Sequence, residues 1–133
     1  MDEKEILQQI AIYMQKRYNG FSEIANITNQ LQDALGYNDV VTIRMLIKMR
    51  QQEMEEIDRY DKERLRLFGQ LEPESYNALK NGDILHFSGE SRTFAERIVD
   101  LYQKIQRMLE KLIEQDQRVN RRLAGEKSYY HQK

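Results

Sequence analysis

Apolar residues recur along the first quarter of the chain at alternating steps of three and four. This ladder consists of Ile6, Ile10, Tyr13, Ile24, Ile27, Leu31 and Ala34. The spacing returns these side chains to one face of a helix, and its mean period is the one used by supercoiled helices. A second apolar row beside it makes a stripe wide enough for a bundle. The pattern therefore predicts a first helix from Asp2 to Leu35 that continues through Gly20.

The pattern stops at Gly36 and resumes after Asp39. A glycine after the last periodic residue is a common end of a helix, and Asn38 or Asp39 can cap the next one. We expect a second helix over residues 40–70, folded back antiparallel because the connection is short. Its predicted inward residues are Ile43, Leu46, Ile47, Met54, Ile57, Leu65, Phe68 and Leu71.

The segment after the second helix predicts a short helical connection. Pro73 suits the first turn of a helix, and Gly82 suits its end, so a helix over residues 73–81 is expected. Thr93 followed by Glu96 has the capping-box pattern that starts the last helix. The apolar ladder of this helix continues to Leu123, and Gly125 marks its predicted end.

These elements predict an all-α fold: an antiparallel, coiled-coil-like bundle of three long helices, with a short helical connection between helices two and three. Residues 1–124 form the predicted single bundle domain, and residues 125–133 form a polar C-terminal tail.

Composition narrows the classes of function. The chain has 21 Lys and Arg against 22 Asp and Glu, a formal net charge of −1. This balance argues against a dedicated nucleic-acid binder, which normally carries a basic excess. The chain has no cysteine, and it shows neither a signal-peptide pattern nor an apolar run of membrane-spanning length. A cytoplasmic protein without membrane insertion is expected.

Catalytic chemistry finds little support in the sequence. The two histidines, His86 and His131, lack metal-ligand spacing, and no phosphate-binding or nucleophile-elbow motif occurs. No catalytic, metal or cofactor residue is therefore predicted.

One alternative stays open. Arg17, Arg50 and Arg64, with Asp61, fall near the helix seams, and a small helical enzyme of the chorismate mutase type would clamp a dianion with such arginines. Arginines that extend along the bundle surface explain the same pattern.

Basic residues are concentrated near the end of the last helix. Residues 92–133 contain ten Lys and Arg and six Asp and Glu. Arg118, Arg121, Arg122 and Lys127 can offset the helix dipole, and they can also form a docking patch for an acidic partner.

Two long helices cover only part of a third, so apolar positions of the last helix are expected to stay open to a protein partner. The predicted partner-binding residues are Met108, Leu112, Ile113, Val119 and Leu123. The same spacing is equally typical of a bundle core or of a homodimer seam, which leaves a self-associating structural module as another alternative.

The layout resembles a known family. A long helix is followed by the break Gly36 to Asp39, by a second helix that is densely charged from Lys48 to Arg64 and ends in KERLRLFGQL, and by a third long helix with Asn120 and Leu123 near its end. This arrangement over residues 5–124 resembles the FlgN-type flagellar export chaperones and is similar to the related FliT-type chaperones.

The resemblance implies a cytoplasmic chaperone, without enzymatic activity, that sequesters a helical segment of a type III export substrate such as a hook–filament junction protein. In that family the substrate docks on the C-terminal helical region. By position this implies docking at Leu112, Val119 and Leu123, with Tyr129 and Tyr130 as additions.

Overall fold

A computed structural model describes residues 1–131, with side chains described for residues 1–124. Within this range the chain forms four α-helices and one short 3-10 helix. In chain order these are α1 (Glu3–Gly36), α2 (Val40–Phe68), α3 (Pro73–Asn81), the 3-10 helix (Ile84–His86) and α4 (Gly89–His131). The prediction of an all-helical chain is confirmed, and α1, α2 and α4 pack together as a helical bundle.

Three buried apolar clusters follow one another along α1. The first joins the start of α1 to Leu67 of α2 and Ile98 of α4, the second joins Ile24 to Ile57 and Leu112, and the third joins the end of α1 to Ile43, Leu46 and Val119. From the start to the end of α1, the residue numbers of its partners on α2 therefore decrease, while those of its partners on α4 increase. Consequently α2 runs opposite to α1, and α4 runs in the same direction as α1.

The turn between α1 and α2 differs in detail from the prediction. Gly36 is still helical, and the left-handed conformation is taken by Asn38, with φ of 54°. Asparagine tolerates this conformation because its short polar side chain bonds locally. Asp39 caps α2 as expected, since its carboxylate accepts the Thr42 backbone N–H at 3.2 Å and the Thr42 hydroxyl proton at 2.6 Å.

The connection before α4 is helical, as predicted, and it packs onto the bundle. Pro73 occupies the first turn of α3, and Gly82 ends it in the left-handed conformation with φ of 73°. Leu79 and Phe87 are buried in the first cluster, whereas Leu85 is exposed. The capping-box prediction at Thr93 is wrong, because α4 already begins at Gly89.

The long helices continue through their internal glycines, as predicted at Gly20 but not at Gly125. α1 passes through Gly20 without a break, and α4 continues through Gly125, the predicted end of its regular part, to His131. None of the helices in the described range is long and apolar enough to cross a membrane.

Candidate functional site

The predicted partner surface on α4 is largely covered. Leu112 packs against Ile24, and Val119 is fully buried against the end of α1. Both were expected to stay open, and that expectation is wrong because α1 is long enough to cover α4 through this region. Met108 and Leu123 are partly buried against the same clusters.

Ile113 is the exception among the five predicted partner-binding residues, because 58% of its surface is exposed. Tyr129 and Tyr130, the additions that the resemblance implied, lie outside the residues whose side chains are described.

The exposed apolar side chains lie mainly on α2. Those of α2 are Val40, Val41, Met45, Ile47, Met49, Met54 and Leu65. Ile47, Met54 and Leu65 were predicted to face inward, and this part of the prediction is wrong. The buried side chains of α2 (Ile43, Leu46, Ile57 and Leu67) form a narrow line against α1, so positions beside that line reach solvent.

Val41, Met45 and Met49 form a row that we call the α2 face. They are spaced four residues apart and therefore share one side of the helix. Met45 is 54% exposed and Met49 is 38% exposed. This spacing is visible in the sequence, but apolar spacing alone does not distinguish an exposed row from a buried one.

A groove of about 390 Å³ between α1 and α2 continues the α2 face beyond Met49. It is lined by Glu23, Ile27, Met49, Gln52, Glu53, Glu55, Glu56 and Arg59, and we call it the acidic groove. Arg59 forms an ion pair with Glu56. The remaining glutamates leave the groove with a net negative charge.

A second cavity, of about 570 Å³, lies where α1, α2, α3 and α4 meet. We call it the arginine cavity, because Arg17 of α1 and Arg64 of α2 both line it. Its other lining residues are mostly apolar or aromatic, and they come from all four helices.

Asp61 holds the two arginines near each other. Its Oδ1 accepts hydrogen bonds from Arg64 Nε at 3.0 Å and Nη2 at 2.6 Å, and it lies 3.3 Å from Arg17 Nε. Burial, followed by repulsion from Arg64, lowers the pKa of Arg17, while Asp61 opposes this change. The guanidinium is nonetheless charged at neutral pH, since arginine stays protonated in proteins.

Arg50, the third arginine of the enzyme alternative, lies elsewhere. Its guanidinium forms an ion pair with Asp116 of α4, and neither residue lines the arginine cavity. The structure thus brings together two of the three proposed substrate-clamping arginines and holds the third in a link between helices.

Ser75, His86 and Glu3 form a small polar cluster that joins α3 and the 3-10 helix to the start of α1. The Ser75 hydroxyl donates to the Glu3 carboxylate, and His86 Nε2 lies 3.3 Å from the same hydroxyl oxygen. A hydroxyl has one proton to donate. Because Ser75 gives that proton to Glu3, His86 is not placed to withdraw it, and the cluster is a structural tie in this arrangement.

No group of three or more His, Asp or Glu residues placed to hold a metal ion occurs in the described part of the chain. Comparisons of the chain with protein-family models, with curated proteins and with solved structures find no match.

Proposed function

We propose that this chain is a binding protein that holds an amphipathic helical segment of another protein, and that the segment docks on the α2 face and the acidic groove. The observation that carries this proposal is the exposure of Met45 and Met49 beside the groove. Methionine side chains are flexible and polarisable, so they adapt to the varied apolar surfaces of partner helices.

The geometry of the α2 face suits a helix as the occupant. Its apolar residues lie one turn apart, as do the anchor residues that a partner helix presents to a groove. Ile27 of α1 contributes an apolar position to the floor of the acidic groove. Contact along two turns of each helix would bury the methionine side chains that are now in water.

Charge favours a basic segment. The acidic groove carries four glutamates and one arginine, and Arg59 is already paired with Glu56. Lysines or arginines of a partner helix would meet the unpaired carboxylates, which improves the rate and specificity of association. Arg44 and Lys48 lie three residues after Val41 and Met45, respectively, so both border the α2 face. The preference for a basic partner therefore concerns the acidic groove.

The resemblance described above suggests the biological setting. We propose that the chain acts as a cytoplasmic export chaperone, built as an antiparallel, coiled-coil-like bundle of three long helices. Its proposed partner is a helical segment of a hook–filament junction-like substrate of flagellar type III export. The docking surface in this proposal is on α2 and not, as the sequence indicated, on the last helix.

A binding titration tests this proposal. The purified chain is titrated with junction-like and flagellin-like proteins of the same cell, and then with the helical segment that binds. Replacing both Met45 and Met49 by aspartate should weaken binding at least about tenfold, because charge enters the centre of the interface. Both positions are exposed, so the variant should keep its helical content.

Ile113→Asp is the matched control, since Ile113 is equally apolar, is 58% exposed and lies on α4. The proposal expects this variant to bind like the wild type. Loss of binding in Ile113→Asp with full binding in the α2 variant would move the docking site to α4. Absence of saturable binding to every junction-like and flagellin-like protein tested would contradict the proposed partner.

A further inference from the structure

The arginine cavity has the size and walls of a small-molecule site. Its volume of about 570 Å³ lies within the range of about 300–1,000 Å³ found for ligand pockets. Phe68, Tyr76 and Tyr102 bring aromatic side chains to it, and Leu65, Ile98 and Val99 bring aliphatic ones. The cavity is separate from the α2 face and from the acidic groove.

Positive charge dominates the lining. Arg17, Arg64 and Lys80 line the cavity, and no Asp or Glu does so among the residues that the structure describes. Asp61, which bonds to the arginines, is not part of the lining and balances only one of the three charges. The cavity is therefore suited to an anion.

Arg17 has hydrogen-bonding capacity to spare. A guanidinium carries five N–H donors. In the described part of the chain, Arg17 Nη1 reaches only the Met14 sulfur at 3.9 Å, and the buried Nε forms no hydrogen bond although Asp61 Oδ1 lies 3.3 Å away. Buried polar groups normally form hydrogen bonds, so the unused N–H donors of Arg17, beside a second guanidinium, favour the binding of a further acceptor.

The bundle holds these cations in place before any ligand arrives. The side chains of Arg17 and Arg64 are only 13% and 16% exposed, and each guanidinium lies over a phenylalanine ring, Phe21 and Phe68 respectively. Two partly buried guanidiniums next to each other are mutually repulsive. A bound carboxylate would relieve this repulsion and would accept the charge-assisted bonds that arginine forms best.

We infer that the arginine cavity is a binding site for a small organic carboxylate with an aromatic body, whose carboxylate contacts Arg17 and Arg64 while its ring packs among the cavity's aromatic and aliphatic walls. This inference does not depend on the proposed docking of a helix on α2.

Calorimetric titration with a matched pair of probes tests the site. Phenylacetate and phenylacetamide have the same shape, but only phenylacetate is charged. We expect phenylacetate to bind at least about tenfold more tightly, because charge-assisted hydrogen bonds are roughly twice as strong as neutral ones. Acetate, which lacks the ring, should bind more weakly than phenylacetate, since it buries no apolar surface.

Variants place the binding in the cavity. Arg17→Gln and Arg64→Gln should each weaken phenylacetate binding about tenfold or more, since each removes a charged donor. Arg66→Gln is the matched control, because Arg66 is an exposed arginine of α2 paired with Glu63. Lys80→Gln changes an exposed lining residue, and about a twofold to threefold loss is expected because water and salt screen an exposed charge.

Several results would overturn the inference. They are equal affinities for phenylacetate and phenylacetamide, equal affinities for phenylacetate and acetate, and absence of saturable phenylacetate binding up to about 10 mM. Folded Arg64→Gln and Lys80→Gln proteins that both bind phenylacetate like the wild type would also overturn it, even if Arg17→Gln fails to fold.

Discussion

α1 and α2 are both long helices, yet they are buried to very different degrees. α1 spans 34 residues and buries side chains along most of its length, from Ile6 to Leu35. α2 spans 29 residues, but its buried side chains are few and widely separated. The difference follows from position and from composition. α1 packs against both α2 and α4, whereas α2 packs mainly against α1 and is densely charged from Lys48 to Arg64.

This comparison explains where a partner surface remains. A helix with neighbours on two sides uses both flanks of its apolar stripe for the core. A helix with one close neighbour uses only the centre of the stripe and leaves the flanks in water. In this chain those flanks carry Met45 and Met49 on one side and Ile47 and Met54 on the other.

The largest expected effect comes from truncating one leucine in each helix. Leu31 of α1 is fully buried, so Leu31→Ala should lower the free energy of unfolding by about 2–5 kcal/mol. Leu65 of α2 is 55% exposed, so Leu65→Ala should change it by less than about 0.5 kcal/mol. Urea unfolding followed by circular dichroism measures both, and equal losses would remove the contrast between the two helices.

A smaller effect is expected where α1 and α2 approach most closely. A Cβ added at Gly20 would lie 2.7 Å from Cγ1 of the buried Ile57. Gly20→Ala should therefore destabilise the protein by about 1–2 kcal/mol, because overpacking outweighs the better helix propensity of alanine. The same unfolding measurement detects this change.

Gly36→Ala is the control for Gly20, since a Cβ at Gly36 meets nothing within 4 Å and the position is helical. It should stabilise the protein by about 0.5–1 kcal/mol. In a protein that already carries Ile57→Ala, Gly20→Ala should no longer lower the free energy of unfolding. A stabilising Gly20→Ala in the wild-type background would show that the two helices are not in this contact.

The smallest effect concerns the exposed start of α2. Hydrogen bonds from the Thr42 hydroxyl and backbone N–H lower the pKa of Asp39. A carboxylate with a lowered folded-state pKa contributes stability above its unfolded pKa of about 4 and loses it as the pH falls through the folded value.

Asp39→Asn keeps a capping oxygen but no longer titrates. Its urea midpoint should therefore stay close to the wild-type value at pH 7 and fall less steeply below about pH 4. Identical acid slopes for the two proteins would show that Asp39 is not stabilised as a carboxylate.

Much of the fold could be predicted from local patterns. Residues close together in sequence determine the helix starts at Asp2 and Asp39 and the continuity of α1 through Gly20. They also determine the limits of α3, which a proline and a glycine set. Two local predictions, the capping box at Thr93 and the helix end at Gly125, were wrong because α4 extends past both. The other errors arose where the outcome depends on distant parts of the chain. Leu112 and Val119 are covered by α1, a contact that the periodicity of α4 does not reveal.

The candidate sites were less accessible to sequence reasoning. Arg17 and Arg64 stood out at seam positions, but only the fold shows that they share a cavity while Arg50 pairs with Asp116. The α2 face could not be predicted, because apolar spacing alone does not tell a buried row from an exposed one. The placement of α2 beside a single close neighbour decides that question.

Methionine methyl spectra test the central claim, docking on α2, most directly. The chain has six methionines, and they include Met45 and Met49 on the α2 face, the buried Met14, and Met108 of the predicted α4 surface. With 13C-methyl labelling, single Met→Leu variants assign each peak. Titration with a helical segment of a junction-like export substrate should shift the Met45 and Met49 peaks and leave those of Met14 and Met108 in place. A shift of Met108 while Met45 and Met49 stay unchanged would contradict docking on α2.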